Sequence, residues 1–170
     1  FRRVLFRSLQ DEDGSVNIPE IDLTLERSVE YQNAPKITSS DVAVKVFRDF
    51  WDNQRMNVQE QFYVMLLARN NKVISIYHQG KGGIASTIAD VELTVASAVK
   101  ALATGVIVAH NHPSGELTFS EADVALTRNL GKALKTVNID LLDSLIITEN
   151  SYKSMQDAGT MPSFEKGGNM

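Results

Sequence analysis

The spacing of apolar residues along the chain is helical in some stretches and strand-like in others. A first helix is predicted to begin within the polar residues Thr38–Asp41, which can cap it, and to end near Trp51. Its predicted apolar face consists of Val42, Val46, Phe47 and Phe50. The same periodicity predicts three later helices, at Asp90–Leu102, Ser120–Val137 and Ser151–Ala158.

Strands are predicted where short apolar or alternating runs lie between turn residues. Phe62–Ala68 and Val73–Tyr77 flank Asn70-Asn71, which predicts a β-hairpin. Gly105–Ala109 is continuously apolar, as expected of a strand that is buried on both faces. Three further strands are predicted at Ile21–Leu25, Ile84–Ile88 and Asp140–Thr148. This mixture of strands and helices predicts an α/β sandwich around a mixed sheet.

The chain has 170 residues, enough for one domain with a sizeable core. We expect an N-terminal arm at residues 1–36, partly non-native in sequence, a compact domain at residues 37–160 and a flexible tail at residues 161–170. No apolar run approaches the ~20 residues that a membrane-spanning helix needs, and no signal-peptide pattern is visible. We therefore expect a cytoplasmic protein without membrane contact.

Composition narrows the chemistry that the chain can carry. The absence of cysteine excludes disulfides, thiolate metal ligands and a cysteine nucleophile. A transition-metal site must therefore be built from histidine, aspartate and glutamate side chains. The net charge of -4 argues against a broad nucleic-acid footprint, although it leaves room for a local basic groove.

One segment combines residue types that bind metals. His110 and His112 directly follow the predicted strand Gly105–Ala109, and residues two apart on extended backbone point the same way. Pro113–Gly115 then turns the chain, and Asp123 lies in the first turn of the next predicted helix. Two histidines and one aspartate are ligands that zinc uses when its fourth position stays open for water. The spacing therefore predicts a catalytic zinc site.

Simpler interpretations of the same residues have to be weighed. Two histidines in this spacing are by themselves more often a loop or core feature, and Ser120-x-x-Asp123 alone resembles a capping box. The interpretations are compatible, because a capped helix start is a rigid place to mount a ligand. A zinc hydrolase also needs a general base, for which Glu60, just before a predicted strand, is the candidate. From spacing alone it competes with Glu92, Glu116 and Glu121.

The pattern His110-x-His112, seven residues, Ser120, two residues, Asp123, with an upstream glutamate, resembles the JAMM motif of the JAB/MPN metalloproteases. The string AHNHPSG that ends at Gly115, and the segments Glu60–Ile74 and Leu141–Thr148, resemble the RadC-like branch of that superfamily. The resemblance extends from about residue 37 to residue 159.

The resemblance implies a cytidine-deaminase-like (JAB/MPN) α/β sandwich with a mixed central sheet. It also implies zinc as cofactor, with His110, His112 and Asp123 as its ligands. By the same resemblance Glu60 holds and deprotonates the attacking water. Ser120 would help to stabilise the oxyanion of the tetrahedral intermediate.

The chain departs from the RadC-like pattern in two respects. Ser144 stands where this branch usually carries histidine, which puts the substrate specificity in doubt. Full-length relatives often carry an N-terminal helix-hairpin-helix domain that binds DNA. We expect no room for such a domain in this chain, and direct DNA binding is therefore less expected.

Three functions follow from the residues and the resemblance. The first is a zinc metallohydrolase, specifically a peptidase or isopeptidase that acts on a protein or peptide substrate. The second is a metal-dependent nuclease or a DNA-repair-associated RadC-like protein, a role that the charge does not favour. The third is a non-catalytic scaffold with the same fold, and a homodimer is compatible with each of the three.

Overall fold

The structure is a computed structural model that describes residues 4–7, 20–23, 29–81 and 89–164. The chain divides into two compact units, Phe1–Asn33 and Ala34–Met170. In the first unit, strands β1 (Val4–Arg7) and β2 (Glu20–Leu23) form an antiparallel pair, and a one-turn helix, α1, follows at Val29–Gln32. The strand predicted in the arm is therefore present as β2.

The second unit contains a five-stranded sheet and three longer helices. Its helices are α2 (Ser40–Phe50), α3 (Val91–Lys100) and α4 (Glu121–Thr136), with a short 3-10 turn at Asn53–Arg55. Its strands are β3 (Gln61–Leu67), β4 (Val73–Lys81), β5 (Gly105–His110), β6 (Asp140–Ile147) and β7 (Tyr152–Ser154).

The sheet has the strand order β4-β3-β5-β6-β7. β5 runs parallel to β6, whereas the other neighbouring strands are antiparallel. The sheet is therefore mixed, which confirms the predicted α/β class. β3 and β5 are buried along their whole length, as their continuous apolar sequences predict.

Both faces of the sheet carry a hydrophobic core, because successive side chains of a strand point to opposite sides. One face packs against α2 through the odd-numbered residues of the central strands, among them Tyr63, Met65, Ile107 and Ala109. The other face packs against α3 and α4 through the even-numbered residues, among them Phe62, Val64, Val106 and Val108. Phe47, on the predicted apolar face of the first helix, and Trp51, at its predicted end, are both buried on the α2 side.

The predicted helix at Ser151–Ala158 is wrong. This segment instead forms β7, which pairs with β6, and then a series of turns. The edge of β6 offers unpaired backbone groups, and pairing with them outweighs local helix propensity. Phe50, which the sequence places on the apolar face of the first helix, is 59% exposed, and α2 ends at this residue.

Two other predictions concern a short strand and the C-terminal tail. The strand predicted at Ile84–Ile88 lies outside the described residues. Met161 and Phe164, which belong to the predicted tail, are partly buried against the α3 and α4 side of the core. Within the described ranges, none of the helices combines the length and the apolar character that crossing a bilayer requires.

Candidate metal centre

The two histidines are positioned by the central strand of the sheet. His110 is the last residue of β5 and is paired with Phe62 of β3 and Ile146 of β6, so its backbone is fixed from both sides. Its side chain belongs to the even-numbered face, which is covered by α3 and α4, and is almost fully buried. His112 lies two residues after the end of β5, and its side chain is partly buried.

The structure brings together the three side chains that the sequence singles out. The Nε2 atoms of His110 and His112 are 3.0 Å apart. The Asp123 carboxylate lies 3.1 Å from Nε2 of His110 and 3.6 Å from Nε2 of His112. Ligand atoms about 2.0–2.1 Å from a tetrahedral zinc ion are roughly 3.3 Å from one another. The three donors therefore fit around one divalent cation, and the part of the chain that the structure describes contains one such group.

A turn in the loop after β5 orients His112. The N–H of Gly115 donates to the His112 carbonyl at 2.9 Å, and Gly115 has a φ of 75°, which glycine adopts without strain. This turn brings the Glu116 carbonyl to 2.9 Å from Nδ1 of His112. Because a carbonyl only accepts, Nδ1 carries the hydrogen and the neutral ring keeps its Nε2 lone pair for a metal.

Asp123 is held by the start of α4. The Ser120 hydroxyl accepts from the N–H of Asp123 at 3.1 Å, and the Ser120 N–H and hydroxyl both donate to Oδ2 of Asp123 at 2.7 Å. This is a capping box, as the sequence suggested, and it leaves Oδ1 facing His110. The cap and the metal-facing carboxylate are thus one arrangement.

The charges of the three residues are strongly coupled. Burial by itself would raise the pKa of Asp123, but hydrogen bonds with His110 and His112 outweigh it and hold that pKa far below its usual range. The hydrogen bond with Asp123 raises the pKa of His112 against the opposing effect of burial, and the negative charge of Glu60 adds to the rise. In the metal-free protein the site is therefore an ionised carboxylate beside a readily protonated imidazole.

Glu60 lies at the same edge of the sheet as the histidines. β3 and β5 are antiparallel with Phe62 opposite His110, and this register continued by two residues places Glu60 opposite His112. Alternation then puts Glu60 on the same face as both histidines. Its half-buried position and its effect on the pKa of His112 agree with this placement.

The competing glutamates are less well placed to serve as a base. Glu92 lies in the first turn of α3, and Glu121 is exposed in the first turn of α4. Glu116 is exposed, and its carboxylate accepts from the Thr118 hydroxyl at 2.7 Å. Of these four glutamates, Glu60 is the one that the continued β3–β5 register sets opposite a histidine of the site.

Two buried polar residues were not singled out in the sequence as structural residues. Asn111, between the two histidines, is completely buried and bonds to the backbone just before β3. Asp143, on β6, is buried and accepts from the Ser154 hydroxyl at 2.6 Å. Neither pattern has a local signal, since both depend on contacts between distant segments.

Two further residues, Ser144 and His78, make contacts within the fold. Ser144 is buried on β6, and its hydroxyl accepts from the Thr127 hydroxyl at 3.1 Å. Thr127 lies one turn after Asp123 on α4, so Ser144 is in the layer beneath the metal-facing carboxylate. His78 packs against the Tyr63 ring, with ring centres 4.9 Å apart, on the face away from the histidine pair.

Comparison with known proteins places this chain in a family. Residues 37–160 match the family model of the RadC-like JAB domain. The chain is 40% identical over 134 residues to a UPF0758 protein of Flavobacterium johnsoniae, covering 79% of this chain and 57% of that protein. It is 36% identical over 143 residues to a UPF0758 protein of Porphyromonas gingivalis, covering 82% of this chain and 62% of the relative.

A third relative extends the comparison. A UPF0758 protein of Clostridium botulinum is 38% identical over 103 residues, which is 61% of this chain and 45% of that protein. The matched region thus spans between 45% and 62% of the length of these three curated relatives.

Proposed function

The chain belongs to the RadC-like JAB domain family, and from that premise we propose that it is a zinc-dependent hydrolase of peptide or isopeptide bonds. The observation that carries the proposal is the triangle formed by Nε2 of His110, Nε2 of His112 and the Asp123 carboxylate. The two nitrogens are 3.0 Å apart, Oδ1 of Asp123 lies 3.1 Å from His110, and Oδ2 lies 3.6 Å from His112. Three protein donors leave the fourth tetrahedral position for water or substrate, as in catalytic zinc sites.

The donor set supports zinc rather than a hard cation. Imidazole nitrogen suits zinc and its first-row neighbours, whereas magnesium and calcium prefer oxygen donors. A bound zinc ion would act as a Lewis acid and lower the pKa of its water to about 7. The Glu116 carbonyl and Ser120 would hold the His112 and Asp123 side chains in the required orientation.

Glu60 is proposed as the general base and then the general acid. Its carboxylate would accept a proton from the attacking water and deliver it to the nitrogen of the leaving amine as the C–N bond breaks. The register of β3 and β5, continued by two residues, supports a role for Glu60 beside the metal ligands without its being one of them. Its partial burial shields the transferred proton from bulk water.

Ser120 is proposed to stabilise the oxyanion. Its hydroxyl would turn from Asp123 to the developing negative oxygen of the substrate carbonyl. Asp123 would keep one hydrogen bond from Ser120 during this change, because the backbone N–H also donates to Oδ2 at 2.7 Å. The peptide bond as substrate remains a proposal that rests on the resemblance to JAB/MPN metalloproteases.

The proposal is tested with full-length protein purified without added metal. We expect about one zinc per chain and cleavage within a peptide library. Glu60→Gln should keep the zinc and lose about 10²–10⁴-fold in rate, whereas His112→Ala should lose both. Glu121→Gln, an exposed acid at the same end of the fold, is the matched control and should behave as wild type.

Single- and double-stranded DNA are incubated in parallel with the same four proteins. Zinc-dependent cleavage of DNA without any peptide cleavage would overturn the peptidase proposal in favour of a nuclease. Peptide cleavage that persists in Glu60→Gln would reject the base assignment alone. If the wild-type chain retained no zinc, both the peptidase proposal and the nuclease alternative would be rejected, because each requires a bound metal.

A further inference from the structure

Asn111 occupies an unusual place, between the two histidines but on the opposite face of the sheet. Because side chains alternate along extended backbone, it points toward the α2 side while His110 and His112 point toward α4. Its side chain is completely buried. A buried amide needs partners for its oxygen and its two N–H groups, and here all three have one.

The partners of Asn111 are three backbone groups of a single segment. Its Oδ1 accepts from the N–H of Gln61 at 2.7 Å, and its Nδ2 donates to the carbonyls of Met56 and Gln59 at 2.6 and 3.0 Å. Gln59 and Gln61 are the two neighbours of Glu60. The amide therefore holds the backbone immediately before and immediately after the proposed base.

We propose that Asn111 is a positioning residue that fixes Glu60 relative to the metal ligands. The inference rests on the proposed function for the role of Glu60, but the clamp itself rests on the three hydrogen bonds. Glu60 lies outside the ladder of β3, which begins at Gln61, so strand pairing alone does not fix its backbone. Asn111, which lies between His110 and His112 in sequence, supplies that restraint through its hydrogen bonds to the residues on both sides of Glu60. A movement of the segment that carries the histidines would therefore also move Glu60.

The restraint matters because a reacting group must be placed within a fraction of an ångström. A misplacement of 1 Å can cost about 10²-fold in rate. We therefore expect Asn111→Ala to lower kcat by about 10²-fold while KM changes little. Zinc content should be unchanged, because Asn111 contributes no atom to the triangle of donors.

Two variants and one control separate positioning from general damage. Asn111→Asp keeps the acceptor for the Gln61 N–H but sets an oxygen against the carbonyls of Met56 and Gln59, so it should lower kcat as Asn111→Ala does. An Asn111→Asp protein that keeps the wild-type kcat would contradict the proposal. Asn57→Ala removes an amide of the same segment that donates on the surface to Glu149 at 3.2 Å, and it should behave as wild type.

The decisive measurement combines Asn111→Ala with Glu60→Gln. If Asn111 acts through Glu60, the double variant should be no slower than Glu60→Gln alone. An equal loss of activity from Asn111→Ala in both backgrounds would overturn the proposal, because the effect would then not pass through Glu60.

A readout independent of activity is amide hydrogen exchange in the zinc-loaded protein. Asn111→Ala should accelerate exchange at Gln61 and its segment by at least about tenfold, while amides in the middle of β5 keep their protection. Unchanged protection at Gln61 would overturn the clamp. If no protein in the series cleaves any peptide, the proposed function fails, and the exchange data still decide whether Asn111 holds the segment.

Discussion

Ser120 donates two hydrogen bonds to the carboxylate of Asp123, from its backbone N–H and from its hydroxyl, each at 2.7 Å. The same hydroxyl accepts from the N–H of Asp123 and so caps α4. The helix start and the orientation of the proposed ligand are therefore inseparable. The positive end of the helix dipole adds to the stabilisation of the ionised carboxylate.

We expect Ser120→Ala to reduce both folding stability and zinc affinity. Loss of the cap should cost about 1 kcal/mol in the free energy of unfolding. Loss of one of the bonds to Asp123 should weaken zinc binding about 10-fold or more. Urea unfolding and competition with a chelator measure the two effects.

The control for this variant is Ser39→Ala. Ser39 caps α2, where its hydroxyl accepts from the N–H of Val42, and α2 lies on the other face of the sheet. This control should lose stability without losing zinc affinity. If Ser120→Ala lost stability and bound zinc as tightly as wild type, the orienting role of Ser120 would be refuted.

Zinc affinity should depend on pH through His112. Its pKa is raised, first of all by the hydrogen bond with Asp123, and a metal can bind only after the proton has left. Affinity should therefore be constant above the raised pKa and fall about tenfold per pH unit below it. Competition titrations at a series of pH values measure the slope. A flat profile from pH 8 down to pH 6 would show that His112 is not a ligand.

Asp143 should destabilise the fold at neutral pH relative to a neutral isostere. Burial raises its pKa above the ordinary 3.8 despite the bonds that it accepts. The folded state therefore holds a proton more tightly than the unfolded state, and stability falls as pH rises from 3.8 through the raised pKa. Asp143→Asn should remove this loss, so its advantage over wild type should be largest above the raised pKa and should vanish below 3.8.

The hydrogen-bond partners of Asp143 explain why asparagine should be accepted at this position. Oδ1 of Asp143 accepts from the N–H groups of Ser144 and Gln156, and Oδ2 accepts from the Ser154 hydroxyl. The amide oxygen of asparagine can accept from both N–H groups, and its Nδ2 would donate to the Ser154 oxygen in place of accepting from it. Asp143→Leu should instead cost about 1–3 kcal/mol for each N–H left without a partner. Thermal unfolding over a pH series compares the variants, and equal stability of Asp143→Leu would contradict the role of these bonds.

Gly131 should not tolerate alanine even though it lies within α4. The ring of Phe164 occupies the space where a Cβ would lie. Gly131→Ala should displace that ring and destabilise the fold by about 1–3 kcal/mol. In the Phe164→Ala background the same change should instead stabilise by up to about 1 kcal/mol, because alanine is the better helix former. Urea unfolding of the four proteins gives the coupling, and a more stable Gly131→Ala single variant would contradict it.

The convergence of the two histidines and Asp123 could be predicted because each residue has a local signal. A buried strand ends at His110, alternation aligns His112 with it, and the Ser120 cap marks the helix start that carries Asp123. These signals depend on a few neighbouring residues, so one sequence is enough. The layered α/β fold was predictable for the same reason, from the apolar periodicity of its central elements.

The parts that could not be predicted depend on contacts between distant segments. Asn111 bonds to Gln61 across 50 positions of sequence, and an asparagine between two histidines has no local pattern that indicates a clamp. β7 forms because its backbone pairs with the edge of β6. The local sequence around Tyr152–Ser154 carries no signal of that pairing, so its spacing predicted a helix. Phe50 has the spacing of the apolar helix face, but it is the last residue of α2 and its side chain is exposed.

The antiparallel pairing of β3 with β5 joins the strand that directly follows Glu60 to the strand that ends at His110, through a ladder of backbone hydrogen bonds. Deleting one residue from either strand would shift the pairing register of the residues after the deletion by about 3.3 Å. The side chains of those residues would then point to the opposite face of the sheet. Glu60 and His110 would then no longer lie on the same face of the sheet. Natural variants of this domain should therefore differ in length at the Asn70–Lys72 hairpin turn or after β6, while the span from Glu60 to Leu67 and that from Gly105 to His112 keep a fixed number of residues.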